Sequence, residues 1–305
     1  MISPEEAVDR INDRFGRHAG YRALHAKGIL CRGSFTGTPE GARLTRAAHM
    51  QGQPVDATVR FSNGSGDPDE PDYAPDVRGM ATKLYLSDGS KTDISAQTVP
   101  RFPVRTPDAF IQLVDAAKPG LSRLWKLPLF LATHREAVPA LRANAPTLRP
   151  PPSYARCRYY ALHAFKWIDE AGGERYVRYS WLPEAGDERI SGEEAKTRGA
   201  DYLQDEIKER LAREPVRFTL EVQLAAEGDP VDDPTAVWPD ERETVAVGTL
   251  ELTGLDTERE TGGDVLVFDP TRVPDGIELT DDPILRFRSP AYSVSVERRM
   301  SSTAP

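Results

Sequence analysis

Arg22-Ala-Leu-His25-Ala-Lys-Gly28, near the start of the chain, and Arg288-Ser-Pro-Ala-Tyr292, near its end, are the two stretches on which the rest of the sequence is read. In the first, a histidine stands in an apolar, strand-like run that includes Ala23, Leu24, Ile29 and Leu30, where it is expected to stay neutral and to shuttle a proton. In the second, an arginine precedes a tyrosine by four positions, which on a helix stacks guanidinium and phenol on one face. That pairing favours a phenolate. Tyrosine in water loses its proton only at a pH of about 10, so an anionic tyrosine ligand near neutral pH needs cations beside it. Arg288 and a bound metal would supply two.

Working outward, Ser3-Pro4-Glu5-Glu6 is a helix start, with serine as N-cap and proline at the first helical position. Ala7, Val8, Ile11 and Phe15 continue it at helical spacing to about Gly16. Short strands are predicted around 22–36, 55–62, 78–86, 91–95 and 100–104, separated by turn clusters such as Gly64-Ser-Gly-Asp-Pro. Thr106-Pro-Asp-Ala opens a helical region that runs on from Leu121 to Leu148 and stops at Pro150-Pro-Pro152. Strand patterns resume at 156–168, 175–182, 215–226 and 243–253, with a helix at about 191–213. The second series matches the first in length and alternation, as expected for an antiparallel sheet closing into a barrel. After a long connection from Gly262 to Pro283, a helix beginning near Asp281 carries Arg288. Pro290 is expected to kink or break it before the tyrosine.

Six more segments carry a family pattern in order: Val59-Arg-Phe-Ser62, Asp76 to Tyr85, Asp93 to Gln97 and on through Pro100-Arg-Phe102, His163-Ala-Phe-Lys166, Trp238-Pro239, and Val267 to Ile277. With the two terminal stretches they resemble the catalase family, specifically its small, single-domain, catalase-related peroxidase branch. The resemblance runs from about Glu5 to Arg299. It implies an α+β fold: an antiparallel β-barrel of about eight strands with surrounding helices and a haem b buried at the barrel, all in one domain over residues 1–305.

By the same resemblance, Tyr292 is the axial ligand of the haem iron and His25 the distal base, held in its tautomer by Ser62. Gln97 takes the place of the asparagine amide found in large catalases, one methylene longer. Leu24, Phe102 and Phe110 fall at cofactor-binding positions, the phenylalanines flanking the distal cavity, while Pro103 stands where a second phenylalanine is usual. Arg288 acts on the ligand. Arg22, Arg60 and Arg299 are the candidates to pair with haem propionates, since guanidinium groups match carboxylates best. His163 matches a family position and is read as a structural buried histidine, whereas His18, His49 and His134 have no supporting context.

The formal net charge of -9 argues against nucleic acid or an anionic membrane as partner, since either would normally meet a clustered basic surface. Two cysteines without CxxC spacing, Cys31 and Cys157, read as small buried side chains in a reducing cytoplasm. The N-terminus lacks the pattern of a signal peptide, and nothing approaches a membrane span. Leu124-Trp-Lys-Leu-Pro-Leu-Phe-Leu131 is the most apolar run and is assigned to core packing, while Asp67 to Asp72 reads as a solvated loop.

Large catalases extend far beyond both motifs, whereas here 24 residues precede His25 and 13 follow Tyr292. The expectation is therefore a peroxidase, with a homodimer as its candidate assembly, that reduces hydrogen peroxide or an organic hydroperoxide through a ferryl intermediate at the expense of a small organic reductant. Dismutation of hydrogen peroxide, conversion of fatty-acid hydroperoxides and a non-catalytic haem-binding barrel are the alternatives.

Overall fold

The computed structural model describes residues 1–261 and 266–302. Helix α1 (Pro4–Phe15) starts as its sequence dictates: the Ser3 hydroxyl accepts from the Glu6 amide, and Gly16 takes the left-handed backbone, φ 89°, that ends it. There follow β1 (Gly28–Gly37), α2 (Pro39–Leu44), β2 (Val55–Asn63), β3 (Arg78–Tyr85) and β4 (Lys91–Gln97). A helical excursion of α3 (Pro107–Ala116), α4 (Arg123–Thr133) and α5 (Ala137–Asn144) leads to β5 (Tyr159–Ile168) and β6 (Glu174–Pro183). After α6 (Gly192–Thr197) and α7 (Tyr202–Leu211) come β7 (Val216–Leu224), β8 (Thr244–Leu255), α8 (Thr257–Thr261), β9 (Ile277–Leu279) and α9 (Pro283–Ser302).

Each strand pairs antiparallel with its neighbours in the order β4-β3-β2-β1-β8-β7-β6-β5. A pairing of β4 with β5 closes eight strands into a barrel, and β9 adds to β5 from outside that count. The alternation that makes this possible is plain in β7, where Val216, Phe218, Leu220 and Val222 are buried and the residues between them are not. Aromatic rings fill the interior: Phe61 stacks on Tyr154 with centroids 5.3 Å apart, and Phe35 meets Trp181 edge-on at 6.0 Å. Closure removes the free edges that an open antiparallel sheet would expose.

Several sequence expectations are corrected. β1 begins at Gly28, not 22, because His25 adopts a left-handed backbone, φ 56°, that no strand accommodates. No strand forms at 100–104, where Pro100 and Pro103 withhold ladder donors and the chain runs in bends. The helix expected over 191–213 is two helices, divided near Gly199 at φ 100°. Helix α9 is not broken at Pro290 but continues through it, so Arg288 and Tyr292 share one helix. In the connection from 262 to 283, residues 262–265 lie outside the described residues, and the remainder includes β9, which its short run did not announce. Cys31 and Cys157 are buried and not disulfide-bonded. No helix among the described residues is long and apolar enough to cross a membrane.

Candidate active site

His25 sits in the irregular segment before β1, and several hydrogen bonds hold that segment in place. Its amide donates to the Gly64 carbonyl at 3.2 Å and the Ala26 amide to Ser65 at 3.0 Å, while Asp76 anchors the receiving turn by accepting from the Gly64 and Ser65 amides. Arg60 donates to the carbonyls of His25 and Ala26, at 2.9 and 3.0 Å. Four residues thus hold one backbone outlier. The ring Nδ1 lies 3.0 Å from the Ser62 hydroxyl. Burial, and after it the nearby charges of Arg60, Arg288 and Arg22, pushes the imidazole down to about pH 3, against a raising hydrogen bond from the Asn63 backbone. The Ser62 hydroxyl can accept as well as donate, so a tautomer with its proton on Nδ1 keeps that bond and leaves Nε2 as the proton acceptor.

Register explains how the neighbouring groups meet. Ser62 pairs with Gly79 on β3, and Gly79 with Gln97 on β4, so the three residues form a row across adjacent strands and present one face. Gly79 makes room for the ring: a Cβ there would stand 2.7 Å from Ser62 Oγ and 2.9 Å from His25 Nδ1. Gln97 therefore shares the face of Ser62 two strands away, roughly 9 to 10 Å by strand spacing. It is also the residue through which β4 meets β5, opposite Tyr160.

The second group is carried by α9. Arg288 Nε donates to the Tyr292 phenol oxygen at 2.8 Å, as the four-residue spacing requires, and its Nη1 lies 3.1 Å from His163 Nε2. His163 Nδ1 is 2.6 Å from Asp282, whose other oxygen accepts from the Ile284 and Leu285 amides and so caps α9. Burial lowers the His163 pKa, opposed by Asp282. An irregularity in β5 between Tyr160 and Ala164, with Leu162 at φ 52°, turns His163 toward this network. Sequence reading placed His163 as a structural histidine and missed Asp282. Its N-cap position before α9 was the available signal.

Arg22 ties the two groups together. Its charge is disfavoured by burial first, then by Arg60 and Arg299, and is favoured by Tyr292. One Arg22 nitrogen donates to the Leu266 carbonyl at 2.8 Å, and the guanidinium lies 5.9 Å from the Phe268 ring. Burial also lowers the Arg299 pKa. Mutually repelling arginines beside a phenol and opposite a neutral histidine suit a flat ligand with acidic substituents and a metal that takes an oxygen donor. The apolar wall is present as well. Phe102 and Phe110 rings are 5.2 Å apart, and Phe110 packs in the same cluster as Leu24 and Phe287. The remaining histidines are local: His18 bonds Phe15, His134 bonds Phe130, and His49 is buried against Phe35.

The family model for Catalase matches residues 9–304. A catalase-related peroxidase of Mycolicibacterium paratuberculosis is 48% identical over 98% of this chain and 95% of its own. One from Synechococcus elongatus is 33% identical over 98% and 89%. Among solved structures, a fungal catalase superposes with a TM-score of 0.80 at 23% identity. It covers 98% of this chain, which spans 63% of the fungal one. With the closed eight-stranded barrel and the order of its segments, these matches establish that the chain belongs to the catalase family.

Proposed function

We propose that the protein is a haem-dependent peroxidase that reduces hydrogen peroxide or an organic hydroperoxide with a small organic electron donor. The observation that carries this reading is the pairing of a neutral, hydroxyl-held His25 with an Arg288-bound Tyr292 around one cluster of arginines. Tyr292 would hold the iron of a haem b. Arg22 and Arg299 would face its propionates, with Arg60 beside them, and Leu24, Phe102 and Phe110 would line its apolar side. When bound, the haem supplies the redox chemistry that splits the peroxide bond.

The chain's own residues supply positioning and protons. His25 takes the proton from one peroxide oxygen at Nε2 and returns it to the departing oxygen, a role worth about 10² to 10⁴ in rate for a positioned base. Ser62 keeps the ring from turning. Gln97 would offer its amide to the bound peroxide, and Arg288 matches a negative charge on the Tyr292 oxygen. Residues 1–305 would form one such domain, and the buried thiols accord with a reducing cytoplasm. Dismutation is the second reading, favoured by the family itself.

The test is spectroscopic and kinetic. The purified protein should bind one haem per chain with a ferric tyrosinate spectrum, and peroxide-dependent dye oxidation should exceed oxygen release. Tyr292→Phe should retain haem weakly or not at all. An unchanged tyrosinate spectrum in that variant would refute the ligand assignment, and oxygen release unaffected by organic donors would favour dismutation.

A further inference from the structure

Helix α4 and the turn that leads into it present an apolar stripe to solvent. Leu121, Leu124, Trp125 and Leu129 are 85%, 76%, 59% and 57% exposed, and Pro128 is exposed between them. Within α4, Leu124, Trp125, Pro128 and Leu129 fall at i, i+1, i+4 and i+5, one face of the helix, and Leu121 extends it from the preceding turn. The sequence reading of this run as core packing is thus half right: Phe130 and Leu131 turn inward onto the cluster that includes Phe102 and Phe110, while the stripe faces out. Charge singles the surface out further. From Arg123 to Arg135 the chain carries three basic side chains and no acid, in a protein with 48 acidic residues against 39 basic ones, while Lys118 just before it is paired with Asp115 at 2.9 Å. Lys126 Nζ lies 5.6 Å from the exposed Trp125 ring.

We infer that α4 is a monotopic docking surface for an anionic lipid bilayer. An apolar stripe with a tryptophan, flanked by lysine and arginine on a helix too short to span, is the pattern that lies in the headgroup boundary with its apolar face inward. A second copy of the chain fits less well. A two-fold contact through α4 would set the basic group Arg123, Lys126 and Arg135 against the same group of the other copy, and like charges across an interface repel. The net charge of -9, which by itself argues against an anionic membrane, is outweighed at this face, because the field that a bilayer meets first is that of the nearest surface within about 10 Å, and there the basic residues are clustered.

Tryptophan placement makes the inference testable in the full-length protein. Trp167, Trp181 and Trp238 are buried, so a spectral change on binding reports Trp125. Vesicles of phosphatidylglycerol and phosphatidylcholine in equal parts should sediment with the protein at low salt, and pure phosphatidylcholine should not. Emission should shift to the blue and be quenched by brominated acyl chains, both effects vanishing in Trp125→Phe. Leu124→Glu with Leu129→Glu, and separately Arg123→Glu with Lys126→Glu, should each weaken partition at least about tenfold without unfolding, since all four side chains sit at the surface. No sedimentation with the anionic vesicles, equal binding to the neutral ones, or unchanged binding by the variants would overturn the inference. So would a dimer that Leu129→Glu dissociates in a protein indifferent to vesicles.

Discussion

Gly79→Ala is the sharpest test of how the distal group is held. The residue lies in β3 with an ordinary strand backbone, so alanine meets no conformational penalty there. Its methyl group, however, would stand 2.9 Å from His25 Nδ1, 3.0 Å from Cε1 and 2.7 Å from Ser62 Oγ, where ordinary contact begins at 3.4 Å. The imidazole or the hydroxyl must retreat by about 0.5 Å, and their mutual 3.0 Å hydrogen bond must lengthen or turn. Misplacing a reacting group by about 1 Å costs about 10² in rate, so a fall of roughly 10- to 100-fold is expected in the reaction with peroxide. His25→Ala sets the floor of the scale. Stability should drop by about 1 to 3 kcal/mol, the usual cost of an added methyl in a packed interior.

Stopped-flow absorbance on the haem-loaded variant measures the peroxide step, the unreacted spectrum verifies haem content, and urea unfolding reports the fold. In a Ser62→Ala background the rate penalty of Gly79→Ala should shrink, because one of the two clashes is gone and the sites are in contact. A Gly79→Ala protein that holds haem and reacts at the native rate would refute the argument that this missing side chain positions His25.

Asp282→Ala should cost about 2 to 4 kcal/mol in urea unfolding, since it removes both the cap of α9 and the partner of buried His163, and Asp282→Asn should recover about 1 kcal/mol of it through the cap alone. Stability should fall on acidification. His25 and His49 titrate at about 3 and 4 in the folded chain, below the unfolded value of about 6.5, so the unfolded state binds more protons in that window and their contribution, complete above it, is lost as pH drops. At pH 5 each amounts to about 2 kcal/mol, and His49→Gln should reduce the difference between unfolding at pH 8 and pH 5 by that amount. Gln97→Asn should raise oxygen release relative to dye oxidation, because dismutation depends on aligning a second peroxide more than donor oxidation does; an unchanged ratio measured with an oxygen electrode would dismiss the role given to the amide.

Local chemistry was legible in the sequence wherever a single element supplies it. Ser3 caps α1, and Arg288 reaches Tyr292 because four residues of helix set the two side chains on one face within reach of each other. Barrel closure was legible as two series of strands, since alternation with period two reports one buried face. What stayed hidden depends on two elements meeting. The space at Gly79 exists only because β3 lies beside Ser62, and Asp282 matters only because an irregularity in β5 brings His163 to it. The outward stripe of α4 was hidden for the opposite reason. A helix apolar on both sides reads as core until the structure shows which side is covered.

The residues assigned chemistry lie where the barrel departs from its own rules. His25 and Leu162 are its two described non-glycine residues at positive φ, one carrying the distal base and the other next to His163. Gln97 stands at the seam, where β4 and β5 share one pair because the α3 to α5 excursion intervenes between them. Such positions cost energy and persist only when their surroundings over-determine them. Here the supports are identifiable: Arg60 on the carbonyls of His25 and Ala26, Asp76 on the turn that receives the His25 amide, Asp282 on both His163 and α9. Each support is a charged side chain bonded to backbone, to a ring nitrogen, or to both. Removing one therefore frees a strained segment as well as deleting a contact, and its effect on the site should exceed that of an equally buried apolar residue elsewhere in the barrel.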